Sequence, residues 1–302
     1  MGMGPEDRPE PRLEIVEATG STNADLARVA GSDPGAWPHL SALLARRQLA
    51  GRGRSGRTWT TDEHAALTFS ILLRPEEPRE RWGWIPLLGG AAVVQALRAA
   101  MPAADAGTDL AGESRLSQAS ADGAGHLSRD STTAAGSVGA VTREVAVGLK
   151  WPNDVVHLGG TEVLQDWGCL RKVGGLLAEV LPDGRSLVLG IGINLVGDRL
   201  PVPWAGTAAD LGVRTDPTRL AGAIRGKLSA TLADWAAGTD PRELVAPMCL
   251  TLGTAVRVGR PDGSALEGEA VDLAEDGALV VRLDDGTDRV VRAGDVTHLR
   301  PA

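Results

Sequence analysis

The chain has 302 residues, enough for one large domain and one small one, each with a buried core. Its formal net charge of −8 excludes a nucleic-acid interface spread over the whole surface, so any site for a polyanion must be local. Cys169 and Cys249 form no CxxC pattern and no apolar run is long enough for a membrane span, so we predict a cytoplasmic protein without a zinc site or disulfides.

Residues 13–101 predict three strands and two helices. Leu13 to Val16 reads as a short strand, and Ser21 to Asn23 are residue types favoured at a helix N-terminus. These small polar side chains can simply cap the helix, or they can hold a carboxylate or a ureido-type head group. Leu40 to Ala45 and Ala65 to Leu73 are apolar enough for buried strands, and the spacing from Trp84 to Met101 predicts a core helix.

A basic, glycine-rich stretch joins the second and third of these strands. Arg46 to Trp59 contain five arginines and three glycines but no acid. Because such closely spaced glycines disfavour a helix and no apolar alternation favours a strand, we predict a mobile loop. Its backbone amides and guanidinium groups suit an anionic ligand, although a solvated basic loop has the same composition.

Polar insertions interrupt the next strands. Residues 102–142 are rich in Ala, Gly, Ser, Thr and Asp without periodicity, which predicts a disordered surface insertion. Val145 to Leu149 predicts a buried strand that ends in KWPND, residues 150–154. The lysine, amide and carboxylate of this motif suit a site for metal and phosphate, or an ordinary capped turn. A second polar insertion is predicted from His157 to Trp167.

The last part of the chain predicts a hairpin, three helical segments and a β-rich tail. Lys172 precedes a glycine pair and an apolar strand, and Pro182 to Arg185 forms the turn before the strand from Ser186 to Gly192. Short strands beyond residue 254, joined by Asp-Gly turns, predict a small antiparallel barrel. The helical segments are predicted at 207–212, 217–235 and 243–248.

These motifs resemble, in chain order, those of the biotin protein ligases. Members of that family carry STN at a helix start, a Gln before GRGRxGRxW, then KWPND, KxGGxLxE, GIGIN and an SH3-like barrel. Each motif alone is weakly specific, but together they extend from about Leu13 to Arg300. They stand here at residues 21–23, 48, 51–59, 150–154, 172–179, 190–194 and after Met248.

The resemblance implies an α+β fold. Residues 13–246 are expected to form a mixed β-sheet flanked by helices, similar to the catalytic domain of class II tRNA synthetases, and residues 248–302 a C-terminal SH3-like β-barrel. Regulatory members of the family begin with a DNA-binding domain, for which about a dozen residues before Leu13 leave no room. We therefore expect no repressor function, no DNA or membrane partner, and a monomer or weak homodimer.

The resemblance also implies a two-step reaction. Biotin and ATP, with Mg²⁺, give biotinyl-5′-AMP and pyrophosphate, and a lysine of a biotin carboxyl carrier domain then takes the biotin. Because the first step brings a carboxylate against a phosphate, it needs fixed cations. The mixed anhydride hydrolyses readily, so the basic loop is expected to move freely without ligand and to cover the site when ligand is bound.

The site residues implied by the resemblance fall into four groups. The catalytic residues are Lys172, Arg54 and Arg57. Biotin and biotinyl-AMP are expected to contact Ser21, Thr22, Asn23, Gln48, Gly51, Arg52, Gly53, Arg54, Trp59, Lys172, Gly174, Gly190 and Gly192. ATP is expected to contact Arg57, Asn153, Asp154 and Asn194. Mg²⁺ is expected to bind Asp154.

Three alternatives stay open at this point. A lipoate–protein ligase uses the same fold and adenylate chemistry, although GRGRSGRTW together with KWPND belongs to the biotin branch. A nucleic-acid-binding module would place the arginine loop on phosphates, which the acidic balance and the scarcity of aromatic residues argue against. An inactive scaffold with the same fold is disfavoured by the presence of Lys172, Asp154 and Arg54.

Overall fold

The fold is that of a computed structural model, which describes residues 10–56, 58–59, 65–102, 147–159, 162–197, 200–259, 263–292 and 294–299. Arg57 lies outside the described residues, and so does the predicted insertion at 102–142 apart from Pro102. Within the described ranges, no helix is both long and apolar enough to cross a membrane.

The larger part of the chain contains nine strands and four helices among the described residues. The strands are β1 (Leu13–Thr19), β2 (Ala42–Gln48), β3 (Gly51–Arg52), β4 (Thr58–Trp59), β5 (Ala66–Leu73), β6 (Val147–Lys150), β7 (Asp154–Leu158), β8 (Leu170–Val180) and β9 (Leu187–Asn194). The helices are α1 (Thr22–Ser32), α2 (Trp84–Ala100), α3 (Pro217–Ala236) and α4 (Pro241–Val245). Short 3₁₀ turns lie at Arg54–Gly56, Arg79–Arg81, Ala209–Leu211 and Ala246–Met248.

Seven of these strands form one mixed sheet in the order β1-β2-β5-β9-β8-β7-β6. The strands β1 and β2 run parallel, whereas the other neighbouring pairs are antiparallel. The predicted hairpin is present as β8 and β9. The α+β class predicted from the sequence, with a mixed sheet and flanking helices, is confirmed.

Helices cover both faces of this sheet, which is why β5 is buried along its whole length. Alternate residues of a strand point to opposite faces. On β5, Phe69 and Ile71 belong to the large core that includes α2 and α3, whereas Leu72 packs with Leu26 of α1 in a smaller core on the opposite face. The polar residues of β5 that share the α1 face with Leu72 are therefore enclosed by α1.

The C-terminal residues form a separate antiparallel sheet of five strands. These are β10 (Ala255–Gly259), β11 (Ala265–Leu273), β12 (Leu279–Arg282), β13 (Asp288–Val291) and β14 (Asp295–His298), in the order β13-β12-β11-β10-β14. Gly277 and Gly286 of the predicted Asp-Gly turns have left-handed φ values of 79° and 80°, which glycine adopts without strain. This arrangement agrees with an SH3-like domain, while closure into a barrel stays a prediction.

The C-terminal sheet packs against the start of α2 and the end of β6. Trp84 Nε1 donates to the carbonyl oxygen of Glu275 at 2.8 Å, and Trp151 Nε1 donates to that of Gly277 at 3.1 Å. The Lys150 side chain is 6% exposed, and its ammonium donates to the carbonyl oxygen of Val296. The grouping of this lysine with the amide and carboxylate of KWPND is therefore wrong, because its side chain contacts the C-terminal sheet instead.

Two predicted boundaries are also wrong, for local reasons. The second insertion does not begin at His157, because His157 and Leu158 continue β7 and the imidazole is buried there. The helix predicted at 207–212 is only the 3₁₀ turn Ala209–Leu211, and it ends at Gly212, whose φ is 72°. The polar side chain of His157 had suggested the start of an insertion, and the short apolar segment at 207–212 had suggested a helix.

The basic stretch has more regular structure than predicted. Gly51 pairs with Trp59 and Arg52 with Thr58 in a short antiparallel ladder, and Arg54–Gly56 forms the 3₁₀ turn between them. A side chain at Gly51 would collide with Gln48 and with the backbone of Trp59. The absence of a side chain therefore permits the close pairing that a pattern of apolar residues could not reveal.

Candidate active site

A cavity of about 940 Å³ lies between the N-terminus of α1, the basic stretch and the end of β8. Its wall includes five residues that the sequence assigned to the site: Ser21, Gly51, Arg52, Gly53 and Arg54. Asp25, Leu177 and Glu179 also line it, although the sequence did not assign them to the site. The cavity thus has two arginines of the basic stretch on one side and carboxylates of α1 and β8 on the other.

The helix start at this cavity is held by the predicted STN motif. Ser21 is the N-cap of α1, and its Oγ accepts the N–H of Ala24 at 3.5 Å. Thr22 and Asn23 are buried, with 4% and 6% exposure. Gln48 Oε1, at the end of β2, accepts the N–H of Thr22 at 2.9 Å and its hydroxyl at 3.1 Å. The capping interpretation therefore holds for Ser21, while ligand binding by the motif stays a prediction.

Asn23 is held by partners from β5 and β8. Its Nδ2 donates to Glu179 Oε2 at 2.6 Å and to the carbonyl oxygen of Leu177 at 3.3 Å. Ser70 Oγ donates to Asn23 Oδ1 at 2.6 Å and lies 2.8 Å from Thr22 Oγ1. The oxygen and the nitrogen of the Asn23 amide are thus both hydrogen-bonded to protein groups. One of these partners, Glu179, also lines the cavity.

The glycines of β8 and β9 make room for side chains of the site. A Cβ on Gly190 would collide with the Asn23 amide, and one on Gly192 would lie 2.7 Å from Cε2 of the Trp59 ring. A Cβ on Gly174 would lie 2.5 Å from the carbonyl oxygen of Gly192. Such approaches are far below van der Waals contact. Gly190 and Gly192 therefore make room for Asn23 and Trp59, and Gly174 permits the close approach of β8 and β9, while contact of these glycines with biotin stays a prediction.

An ammonium and a carboxylate form the most direct ion pair of the site. Lys172 Nζ lies 2.6 Å from Asp154 Oδ1, with side-chain exposures of 25% and 16%. The basic stretch reaches the same motif, because Arg54 Nη1 donates to Asn153 Oδ1 at 3.3 Å. Asn153 Nδ2 in turn donates to the carbonyl oxygen of Leu176 at 2.7 Å. The structure therefore brings together Arg54, Lys172 and the last two residues of KWPND.

Asn194 lies at the end of β9 and holds a neighbouring segment. Its Nδ2 donates to the carbonyl oxygens of Gly206 at 3.0 Å and Lys172 at 3.4 Å. The N–H of Lys172 also donates to the carbonyl oxygen of Trp204 at 2.7 Å. The amide group of Asn194 thus connects the backbone of Lys172 to that of Gly206. Its predicted contact with ATP stays a prediction.

A divalent cation would find one carboxylate here. In the part of the chain that the structure describes, no three His, Cys, Asp or Glu side chains cluster as a metal site. Mg²⁺ commonly takes one or two carboxylates together with water and substrate phosphates. Asp154, beside the amide of Asn153, fits that mode. One of its carboxylate oxygens pairs with Lys172, and the other is the oxygen that would coordinate the cation.

Two functional candidates were not found from the sequence. Ser70 stands in an otherwise apolar strand with Thr68 two residues before it, and polar residues at that spacing share one face. That pattern was the available signal. Glu179 is the last residue of the KxGGxLxE motif, and the sequence suggested no role for it. Both became visible only through their contacts with Asn23.

Comparisons with known proteins place this arrangement in a family. A model described as the biotin/lipoate A/B protein ligase family matches residues 32–196, which are 165 of the 302 residues. The chain belongs to this family. A second model, described as the biotin protein ligase C terminal domain, matches residues 251–299, so this family member carries both parts in the predicted order.

Individual relatives agree over nearly the whole chain. The biotin–[acetyl-CoA-carboxylase] ligase of Mycobacterium tuberculosis is 33% identical over 96% of this chain and 90% of its own length. A biotin protein ligase from Leishmania major, solved in complex with biotinyl-5-AMP, is 27% identical with a TM-score of 0.55, covering 94% of this family member and all of that chain. The biotin protein ligase of Aquifex aeolicus, with biotin and ATP, shares the fold at a TM-score of 0.65 and 24% identity, covering 96% and 99%.

Proposed function

We propose that this chain is a biotin protein ligase. It forms biotinyl-5′-AMP from biotin and ATP and then transfers biotin to a lysine of the biotin carboxyl carrier domain of a carboxylase. The observation that carries the proposal is a cavity lined by Arg52 and Arg54. The oriented amides of Asn23 and Gln48 contact its wall, and the Lys172–Asp154 pair lies next to Asn153, the partner of Arg54. The name of the Mycobacterium tuberculosis relative and the biotinyl-5-AMP in the Leishmania major structure support it.

The first step joins two anions, so its barrier depends on fixed positive charge. A carboxylate oxygen of biotin attacks the α-phosphorus of ATP, and the bond to the pyrophosphate oxygen breaks. Lys172 would contact the biotin carboxylate, and Arg54 and Arg57 would stabilise the phosphates as charge shifts to pyrophosphate. Asp154 and Asn153 would hold Mg²⁺ and, with Asn194, would face ATP. When bound, the metal neutralises phosphate charge.

The second step transfers the acyl group. The ε-amine of the acceptor lysine attacks the acyl carbon of biotinyl-5′-AMP, the anhydride bond to phosphate breaks, and AMP leaves as the amine loses a proton. The head group of biotin would contact Gln48 and the STN motif, and Trp59 would close the side over Gly192. Two free cysteines, Cys169 and Cys249, fit a reducing cytoplasm. A monomer or weak homodimer, without DNA, stays our prediction.

A direct assay tests the proposal. The purified chain is mixed with ATP, Mg²⁺ and either biotin, lipoate or octanoate, and acyl-adenylate is detected by mass spectrometry together with pyrophosphate release. We expect adenylate with biotin alone, and transfer to a carrier domain but not to its variant with arginine at the acceptor lysine. Pyrophosphate release with lipoate and not with biotin would move the chain to the lipoate branch of the family.

A further inference from the structure

We propose that Ser70 and Glu179 are positioning residues that adapt the cavity to the cyclic urea of biotin by fixing the side-chain amide of Asn23. This inference rests on the proposed function and adds two residues to which no role in the site was assigned. Neither acts as a nucleophile or proton donor to the reacting atoms. Their contribution is the orientation of other side chains.

The hydrogen bonds of Asn23 permit one orientation of its amide. Its Oδ1 faces the hydroxyl of Ser70 at 2.6 Å, while its Nδ2 faces Glu179 Oε2 at 2.6 Å and the carbonyl oxygen of Leu177 at 3.3 Å. Rotation by half a turn would place the amide oxygen against two acceptors, and a carboxylate and a carbonyl cannot donate to it. Because the group is buried, that mismatch is costly.

The same hydroxyl also contacts Thr22, whose backbone N–H is bonded to Gln48. Ser70 Oγ lies 2.8 Å from Thr22 Oγ1, and the N–H of Thr22 donates to Gln48 Oε1 at 2.9 Å. With its oxygen thus occupied, Gln48 directs its NH₂ group along Gly51, at the cavity wall. A displacement of Ser70 would therefore shift Thr22 and, through Thr22, the side chain of Gln48.

The polarity of this arrangement suits a cyclic urea. Such a ring has one carbonyl acceptor and two N–H donors. The carboxylate of Glu179 lies at the cavity wall, and the NH₂ group of Gln48 lies against Gly51, which is part of that wall. The dithiolane ring of lipoate has neither kind of group. A site built from oriented hydrogen-bonding groups rejects a ligand that lacks their partners, since those groups would then be buried without hydrogen bonds.

The experiment measures biotin and ATP affinity by calorimetry for the full chain and its variants. Ser70→Ala should weaken biotin binding roughly 10-fold, the effect of losing one buried hydrogen bond, and change ATP affinity less than about twofold. Thr68→Val is the matched control, because Thr68 lies on the same face of β5 and donates to the carbonyl oxygen of Ala45 instead. It should leave biotin affinity unchanged. Glu179→Gln, which keeps an acceptor for Asn23, should bind biotin more tightly than Glu179→Leu.

A double-mutant cycle separates positioning from general loss of stability. In a background that carries Asn23→Ala and Thr22→Val, Ser70→Ala should weaken biotin binding further by less than about twofold, because both residues through which it acts are gone. Equal weakening in both backgrounds, or by Thr68→Val, would overturn the inference. If the wild-type chain binds and adenylates biotin but Ser70→Ala does so equally well, only the inference fails. If the wild-type chain does not bind biotin, the proposed function fails with it.

Discussion

Replacing Lys172 by alanine separates the catalytic role of this lysine from its role in folding. The variant loses an ammonium that lies 2.6 Å from Asp154 Oδ1. Loss of one oriented charge donor at a transition state lowers a rate roughly 10²–10³-fold, or about 3–4 kcal/mol of barrier. The structural cost is smaller, because the pair is partly exposed and such pairs contribute on the order of 1 kcal/mol. A domain with about 5–15 kcal/mol of stability stays folded after that loss.

The assay is biotin-dependent exchange of labelled pyrophosphate into ATP, with urea unfolding measured in parallel. Lys227→Ala is the control, since Lys227 is exposed on α3, and it should match the wild type in both measurements. Lys172→Arg should recover only part of the activity, because a planar guanidinium cannot replace a compact ammonium at the same position. Exchange by Lys172→Ala within twofold of the wild type, at saturating biotin and ATP, would refute the assignment.

Two further predictions concern pH and the glycines. Burial first, and then Lys150, lowers the pKa of His298 from 6.5 to about 4. Between these two pH values the unfolded chain therefore binds more protons at His298 than the folded chain does. The free energy of unfolding consequently falls by roughly 3 kcal/mol as the pH drops from about 6.5 to about 4. His298→Gln should flatten that dependence in urea titrations, and an unchanged slope would contradict it. Gly190→Ala should displace the Asn23 amide and weaken biotin binding at least 10-fold. Gly222 is an exposed helix position with open space around it, so Gly222→Ala should raise the free energy of unfolding by about 0.5–1 kcal/mol and leave biotin binding unchanged. Equal biotin affinity in both variants would contradict the role of Gly190.

Elements buried on both sides could be predicted closely from the sequence. The strand expected at 65–73 is observed at Ala66–Leu73, and the helix expected from Trp84 to Met101 is observed at Trp84–Ala100. In both cases a continuous or periodic apolar run reflects burial against several neighbours. The basic stretch was harder, since its short ladder depends on glycine contacts and not on apolar side chains.

The direction of polar side chains could not be predicted from local sequence. Lys150 and Asp154 belong to one motif, yet the lysine contacts the C-terminal sheet and the aspartate contacts Lys172. The choice depends on a domain that begins roughly 100 residues later. Ser70 likewise acquires its contacts from α1, on the opposite side of the sheet from the large core. Motif order identified the family, while tertiary packing decided which residues of each motif line the cavity.

A β-bulge in β8 connects the cationic side of the site with the amide side. Lys172 and Glu179 are seven positions apart, and in a regular strand an odd separation would put their side chains on opposite faces. The pairing with β7 uses Gly174 and then Lys172, so Val173 is an extra residue. Val173 and Leu176 accordingly both point into the large core although they are three positions apart. The same change of face turns Lys172 toward the side of β8 that carries Glu179. A chain with this motif but no bulge would turn the lysine toward the large core, so it is the bulge that puts Lys172 and Glu179 on the same face of β8.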